Sequence, residues 1–305
     1  MAKKTGGKKT QKTPDAVKSL GLVVKAGSLE AIKLGCAVAV WAQLHGLKVY
    51  ADSRASRKVK PAKIVASERL RDYADVVVVL GGDGTMLYAA RLMRGKKIPI
   101  LGVNMGGLGF LTAITVSEVF PLLERVVKGA CEIEERMMLS VELRRKGRLV
   151  SEHKVLNDAV IKGRSARLVR METCINKEYV TTYRADGLII ATPTGSTAYS
   201  LSAAGPILYP TIHSIIVAPI CPFNLTKRPV VIPDWMSVDV KLADAESGTM
   251  LVLDGQVDVA LGCDDLVSVK RASTSVYLVK YEGKSYFEIL RERLMWEVKQ
   301  DRDLN

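Results

Sequence analysis

Residues Asp75–Leu80 read Asp-Val-Val-Val-Val-Leu, and the glycine-rich stretch Gly81-Gly82-Asp83-Gly84-Thr85 follows directly. A β-branched apolar run of this kind makes a strand buried on both faces, as in a parallel sheet covered by helices. The surrounding pattern has the matching rhythm. Leu20–Lys25 predicts a strand, Ser28–His45 a helix capped by Ser28, and Leu47–Ala51 a strand. Pro61–Tyr73 predicts an amphipathic helix, Thr85–Met93 a helix, Ile98–Val103 a strand, and Ser117–Lys128 a helix with Pro121 near its start. The βαβα order over residues 19–130 implies an α/β domain built on a parallel sheet.

Beyond residue 130 the elements become strand-length. Met138–Arg145, Arg148–Ile161, Leu168–Ile175, Glu178–Tyr183 and Leu188–Ala191 are separated by turns such as Lys146-Gly147. Leu251–Leu253 and Gln256–Ala260 predict a hairpin turning at Asp254-Gly255. Val267–Lys270 and Ser275–Tyr281 continue the pattern, so residues 131–285 form a mostly β domain. A last helix, Tyr286–Val298, carries Phe287, Leu290, Leu294 and Trp296 and is able to pack back on the first domain; residues 286–305 are assigned to it.

Bulk properties narrow the function. The chain has 305 residues, a comfortable length for two domains. No apolar run approaches the roughly 20 residues that span a bilayer. The basic N-terminus leads into Pro14 and Asp15, unlike a signal peptide, which points to the cytoplasm. The 5 cysteines are scattered without a CxxC pair, and the 3 histidines have no HxxxH spacing, so zinc chemistry is disfavoured. The formal charge is +13, and 5 lysines fall in the first 13 residues with no acid among them. Residues 1–18 are therefore expected to be a disordered basic tail. The basic body suits an anionic small-molecule substrate; no nucleic-acid-binding motif accompanies the charge.

Phosphates belong at a glycine-rich turn between a buried strand and a helix, where backbone N–H groups face an anion. Gly81, Gly82, Gly84 and Thr85 are the candidate phosphate-binding residues. Asp83 is either the cap of the following helix or a functional carboxylate, as a base or metal ligand, that receives the proton of an attacking hydroxyl. Neither GxGxxG nor GxxxxGK[ST] is present, and Gly283-Lys284-Ser285 reads as a hairpin turn. A second constellation, Arg184-Ala185-Asp186-Gly187 followed by Ala191-Thr192-Pro193-Thr194-Gly195-Ser196-Thr197-Ala198-Tyr199-Ser200, packs hydroxyls beside an aromatic ring. That suits a nucleoside, with Ser202 close behind and Asn157-Asp158 offering an amide and a carboxylate for base and ribose.

These segments, with Asn104-Met105-Gly106-Gly107-Leu108-Gly109-Phe110-Leu111-Thr112 and Asp254-Gly255-Gln256, closely resemble the NAD kinase family, ATP- or polyphosphate-dependent. The likeness runs from about residue 20 to about residue 296, and the stretch Asp186–Pro206 is its most specific part. The resemblance implies phosphorylation of the adenosine ribose 2′-hydroxyl of NAD to give NADP, with a divalent metal, magnesium, whose protein ligands are not indicated. Asp83 matches the family's general base. Gly84, Asn157, Asp158, Arg184, Asp186, Thr197, Ala198, Tyr199 and Ser202 match NAD-binding positions, and Gln256 lies on a turn near the site. The implied fold is an N-terminal Rossmann-like α/β domain with a parallel sheet and a C-terminal all-β sandwich, with the last helix returning to the N-terminal domain. A homodimer or homotetramer is implied, with no membrane or nucleic-acid partner. Two departures stand out: Asp158 where Glu is common, and Phe223 where the family often has His. A lipid kinase sharing the glycine loop, and a non-catalytic nucleotide-binding regulator, are the competing readings.

Overall fold

The computed structural model describes residues 11–14, 17–54, 57–107, 109–164, 167–244, 248–280 and 282–296. The chain divides into two units, one of residues 1–135 and 277–305 and the other of residues 136–276. The sequence had placed these divisions at 130/131 and 285/286. Each falls instead inside a strand of 14 residues, Glu132–Arg145 and Leu266–Val279, where no loop marks it.

In the first unit, five strands lie parallel in the spatial order Lys63–Val65, Lys48–Asp52, Ser19–Val24, Val76–Gly81, Pro99–Asn104. Numbered by appearance this is 3-2-1-4-5, the order of doubly wound nucleotide-binding sheets. Tyr277 and Leu278 add a sixth parallel segment beside Pro99 and Ile100. Val76–Leu80 are fully buried, as their β-branched run demands. The helix Leu29–Leu44 starts at Ser28, whose hydroxyl accepts from Ala31 N–H, and buries Ala31, Gly35, Val38, Ala39 and Ala42. The helix Val119–Val127 follows a single turn at Val116–Glu118.

The sequence misread Pro61–Tyr73. Lys63–Val65 is a short strand that pairs with Tyr50–Asp52, and only Ser67–Asp72 is helical, as a 3-10 turn. Backbone pairing at the sheet edge overrides an amphipathic spacing too short to sustain its own helix. Two further corrections concern the termini. Gln11 and Lys12 pair with Ile133 and Glu132, Thr13 N–H donates to the Cys131 carbonyl, and Val17 is buried, so this part of the supposed free tail is anchored. Residues 1–10, 15 and 16 lie outside the described residues. The last helix is Tyr286–Leu294, ended by Met295 in the left-handed conformation at φ 53°. It buries Ile289 and Leu290 while Phe287 and Trp296 stay exposed, and it belongs to the first unit, where Arg293 lies over the Phe110 ring. The remainder of its expected range, 297–298, falls outside the described residues. Ser285 caps this helix, with Glu288 completing the box, so Lys284-Ser285 is a helix start and not a hairpin turn.

The second unit holds two antiparallel sheets. One is six-stranded, in the order Val230–Pro233, Ser214–Ile220, Gly187–Ala191, Asp158–Lys162, Met250–Leu253, Val257–Ala260. The other includes Glu178–Ala185, Val169–Ile175, Val238–Asp244 and Leu266–Val269. Inward residues of both, such as Ile161, Leu188, Ile190, Met171, Val240 and Val267, share one core. On the reverse face of the six-stranded sheet, Val160, Ile189, Ala191, Ile216 and Ala218 pack under Ala203 and Leu208. Burial on both faces explains why Gly187–Ala191 is apolar without alternation. The run Arg148–Ile161 is two strands, Arg148–Val155 and Asp158–Lys162, broken at Leu156-Asn157. Val267–Lys270 and Ser275–Tyr281, read as two, belong to a single strand ending at Val279.

Candidate functional site

The glycine-rich loop sits at the carboxyl end of Val76–Gly81, beside strand Ser19–Val24. This is where the strand order reverses and where such sheets bind ligands. The following helix begins at Asp83, with Gly82 at the capping position and no side-chain cap. Asp83 is therefore not the helix cap. Its carboxylate turns instead to a second loop: Oδ2 accepts from Phe110 N–H at 2.9 Å, and Oδ1 from Leu111 N–H at 3.1 Å and the Thr112 hydroxyl at 3.2 Å. A carboxylate offers about four acceptor positions, so these three donors fix its orientation and leave it room for one more.

Asn104 shapes that second loop. Its Nδ2 donates to the carbonyls of Gly107 and Thr112 at 2.9 and 3.2 Å, and its Oδ1 accepts from Gly106 N–H at 2.7 Å. Glycine is required at two places. A methyl group at Gly109 would stand 2.2 Å from Asp83 Oδ1, and one at Gly81 would stand 2.3 Å from the Thr85 hydroxyl. A methyl group at Gly82, Gly106 or Gly107 would meet nothing within 4 Å, so the loop surface is open there, although the Gly106 N–H is already taken by Asn104 Oδ1. A hollow of about 410 Å³ borders this loop, lined by Asn104, Met105, Gly106, Thr115, Lys284 and Glu292 among others. In the sequence Asn104–Thr112 shows no task of its own; the structure assigns it the grip on Asp83. Leu108 lies outside the described residues.

The second unit carries a separate cleft of about 370 Å³ on its six-stranded sheet. Asn157, Asp158, Ala198 and Tyr199, all anticipated, line it together with Lys162, Asp254 and Asp258. Three devices hold its rim. The Asp254 carboxylate accepts the N–H groups of Leu156, Asn157 and Asp158 at 3.0, 2.7 and 3.2 Å. Thr192 gives its hydroxyl to the Leu156 carbonyl at 2.6 Å and accepts from Gly195 N–H at 3.0 Å. Gly195 packs so closely that a methyl group there would lie 2.2 Å from the Asn157 carbonyl oxygen. Asn157 Oδ1 is buried without a hydrogen-bond partner. Burial, and then the Asp254 charge, push the Asp158 carboxyl up to about 7.

Other anticipated residues do not line this cleft. The Thr197 hydroxyl donates to the Thr194 carbonyl at 3.4 Å, and Ser202 and Asp186 are exposed. Gln256 is on the hairpin turn, its N–H on the Leu253 carbonyl. Arg184 lies over the ring of Phe223, 5.1 Å from its centroid, so the aromatic residue at 223 keeps a contact of its own. Lys162 and Asp258 escaped sequence reasoning because lone charges on short strands carry no motif; only strand register brings them to the cleft. Asp254 was read as a turn residue, and its neighbour Gly255 hid its larger task. Among the described residues no group of three or more His, Cys, Asp or Glu is placed to hold a metal ion.

A doubly wound sheet with a gripped loop carboxylate, joined to a β unit with a polar cleft, defines a nucleotide-handling phosphotransferase architecture. The ATP-NAD kinase N-terminal domain matches residues 20–131 and the ATP-NAD kinase C-terminal domain matches residues 156–281. The NAD kinase of Geobacter metallireducens is 51% identical over 233 residues, which cover 76% of this chain and 82% of that protein. The chain belongs to the NAD kinase family. The fold is also that of yeast NADH kinase complexed with NADH, at a TM-score of 0.84 and 22% identity over 95% of this chain and 90% of that one. An NAD kinase from Archaeoglobus fulgidus in complex with ATP superimposes at a TM-score of 0.70 and 22% identity, over 90% and 98% of the two chains.

Proposed function

We propose that the chain transfers the terminal phosphoryl group of ATP or polyphosphate to the adenosine ribose 2′-hydroxyl of NAD, giving NADP. The observation that carries the reading is the Asp83 carboxylate, held by the Phe110 and Leu111 N–H groups and the Thr112 hydroxyl. A base must keep its orientation while one acceptor position stays available for the hydroxyl proton. As the new O2′–P bond forms, the bond from the terminal phosphorus to the donor's bridging oxygen breaks. The O2′ proton passes to Asp83, and ADP or shortened polyphosphate leaves. Open space at Gly82 and Gly107 supports phosphate binding, and the cleft with Asn157, Asp158, Ala198 and Tyr199 supports binding of a nucleoside part of NAD.

A divalent ion, magnesium, fits these residues only as a partner of the phosphates. Since no group of three His, Cys, Asp or Glu ligands stands together among the described residues, one or two carboxylates plus phosphate oxygens and water would hold it, the usual arrangement for this ion. When bound it neutralises phosphate charge. We also propose a homodimer or homotetramer. Val230–Pro233 is an edge strand, paired on one side with Ser214–Ile220, and Val230, Val231, Phe223, Leu225 and Trp235 are exposed, which a second copy would cover. Sedimentation of the purified protein tests that assembly. A cytoplasmic setting is part of the same proposal.

The test of function is incubation with NAD, magnesium and either donor. NADP formation is expected; turnover of diacylglycerol without NADP would replace this reading with the lipid kinase.

A further inference from the structure

Two carboxyl groups line the cleft, and the backbone treats them oppositely. Asp254 collects three N–H donors. Asp158, 4% exposed at the start of its strand, receives none from the described residues, and the Asp254 charge acts on it. A charge persists where donors meet it, and a second charge buried beside it without donors does not. The negative charge is therefore favoured on Asp254, and Asp158 holds its proton up to about pH 7. The other charged or hydroxyl groups lining the cleft are Lys162, Asp258 and Tyr199. Lys162 favours a carboxylate at Asp158, Asp258 opposes it, and both lie on the exposed side where water weakens them.

We propose that Asp158 binds the nucleotide as a neutral acid, donating its O–H to an acceptor on the base, a ring nitrogen or a carboxamide oxygen. A carboxylate at this position would do the reverse and accept from ribose hydroxyls. The inference deepens the NAD-binding reading of this cleft and rests on it. The acceptor can belong to adenine or to the nicotinamide carboxamide, so AMP and nicotinamide mononucleotide serve as separate probes beside NAD.

Calorimetry in buffers of different ionisation enthalpy reads the sign of the proton change. At about pH 8 a neutral Asp158 must be restored on binding, so NAD uptake by the protein should bring in close to one proton. NAD affinity should fall by up to about 100-fold over the two pH units above 7, one factor of ten per unit. Asp158→Asn supplies an N–H in place of the O–H. It should keep affinity at about pH 6 within roughly threefold, a difference below 1 kcal/mol, and lose both the proton uptake and the pH dependence. Whichever of AMP and nicotinamide mononucleotide shows the same uptake contains the acceptor. Proton release on binding, or a tenfold or greater loss in Asp158→Asn at about pH 6, overturns the proposal. A carbon-13 carboxyl titration of the free protein is independent of NAD. The signal lost in Asp158→Asn should titrate near 7, and an ordinary carboxylate titration there overturns the proposal whatever the protein binds. If that signal does titrate near 7 but no nucleotide binds at any pH, the NAD reading itself fails and takes the donor role with it.

Discussion

Gly109→Ala probes the loop carboxylate without touching it. The added methyl carbon would sit 2.2 Å from Asp83 Oδ1 and 2.5 Å from the Thr112 hydroxyl. An ordinary contact begins near 3.4 Å. Either the carboxylate swings away or the loop Gly109–Thr112 retreats, by about 1 Å, and the bonds from Phe110, Leu111 and Thr112 cannot all survive. A misplacement of about 1 Å at a reacting group costs on the order of 10²-fold in rate, about 2.7 kcal/mol in the barrier. The expected result is a turnover near one hundredth of the parent's. Nucleotide binding in the second unit's cleft should change little, because Gly109 does not line it. Steady-state NADP formation gives the turnover, calorimetry gives NAD affinity, and circular dichroism confirms the fold. The double variant with Asp83→Ala completes a cycle: if Gly109 acts only through Asp83, the alanine at 109 should cost nothing further there. A folded Gly109→Ala protein with turnover within about threefold of the parent would refute the reasoning, since about 0.6 kcal/mol is too small for a lost grip.

Asp83→Asn keeps the loop's shape but removes proton acceptance, so turnover should fall roughly 10²–10⁴-fold with far less effect on NAD affinity; near-normal turnover excludes the base. Excess magnesium recovering part of that loss would instead assign Asp83 to the metal. Asp254→Ala leaves three backbone N–H groups without their acceptor at a buried rim, and about 3–5 kcal/mol of stability should go. Urea unfolding measures it, and an unchanged midpoint would show that water replaces the carboxylate. Deleting residues 1–10 should leave folding and NADP formation intact, whereas deleting through Lys18 removes the pairing of Gln11 and Lys12, the buried Thr13 and the buried Val17. A lowered melting temperature for the longer deletion alone is the expected pattern, and equal stability of both would remove any structural part for residues 11–18.

The parallel sheet was legible because its strands are buried on both faces, so Val76–Leu80 and Leu20–Val24 announce themselves without help from partners. Lys63–Val65 was not, since three residues at an edge owe their form to Tyr50–Asp52. In the site, Asp83 and Tyr199 could be singled out by motif, but what Asp83 touches could not: its donors are 27 to 29 residues away. Asp254 reaches still further, to backbone 96 to 98 residues earlier in the chain. Lys162 and Asp258 depended on register, which a single sequence does not specify.

The parallel sheet of the first unit is flanked on one side by Tyr277 and Leu278, which lie against Pro99 and Ile100. A ribosome makes Tyr277 178 residues after Pro99 (277 − 99). Until Tyr277 and Leu278 emerge, with synthesis at roughly 5–20 residues per second, Pro99–Asn104 presents bare backbone donors and acceptors on that side. A nascent or prematurely terminated chain ending before 277 thus carries a nearly complete apolar sheet with a sticky margin, a template for pairing with other chains. Tyr277 and Leu278 cover this margin, and their arrival well after Pro99 leaves an interval in which it is open to pairing with other chains.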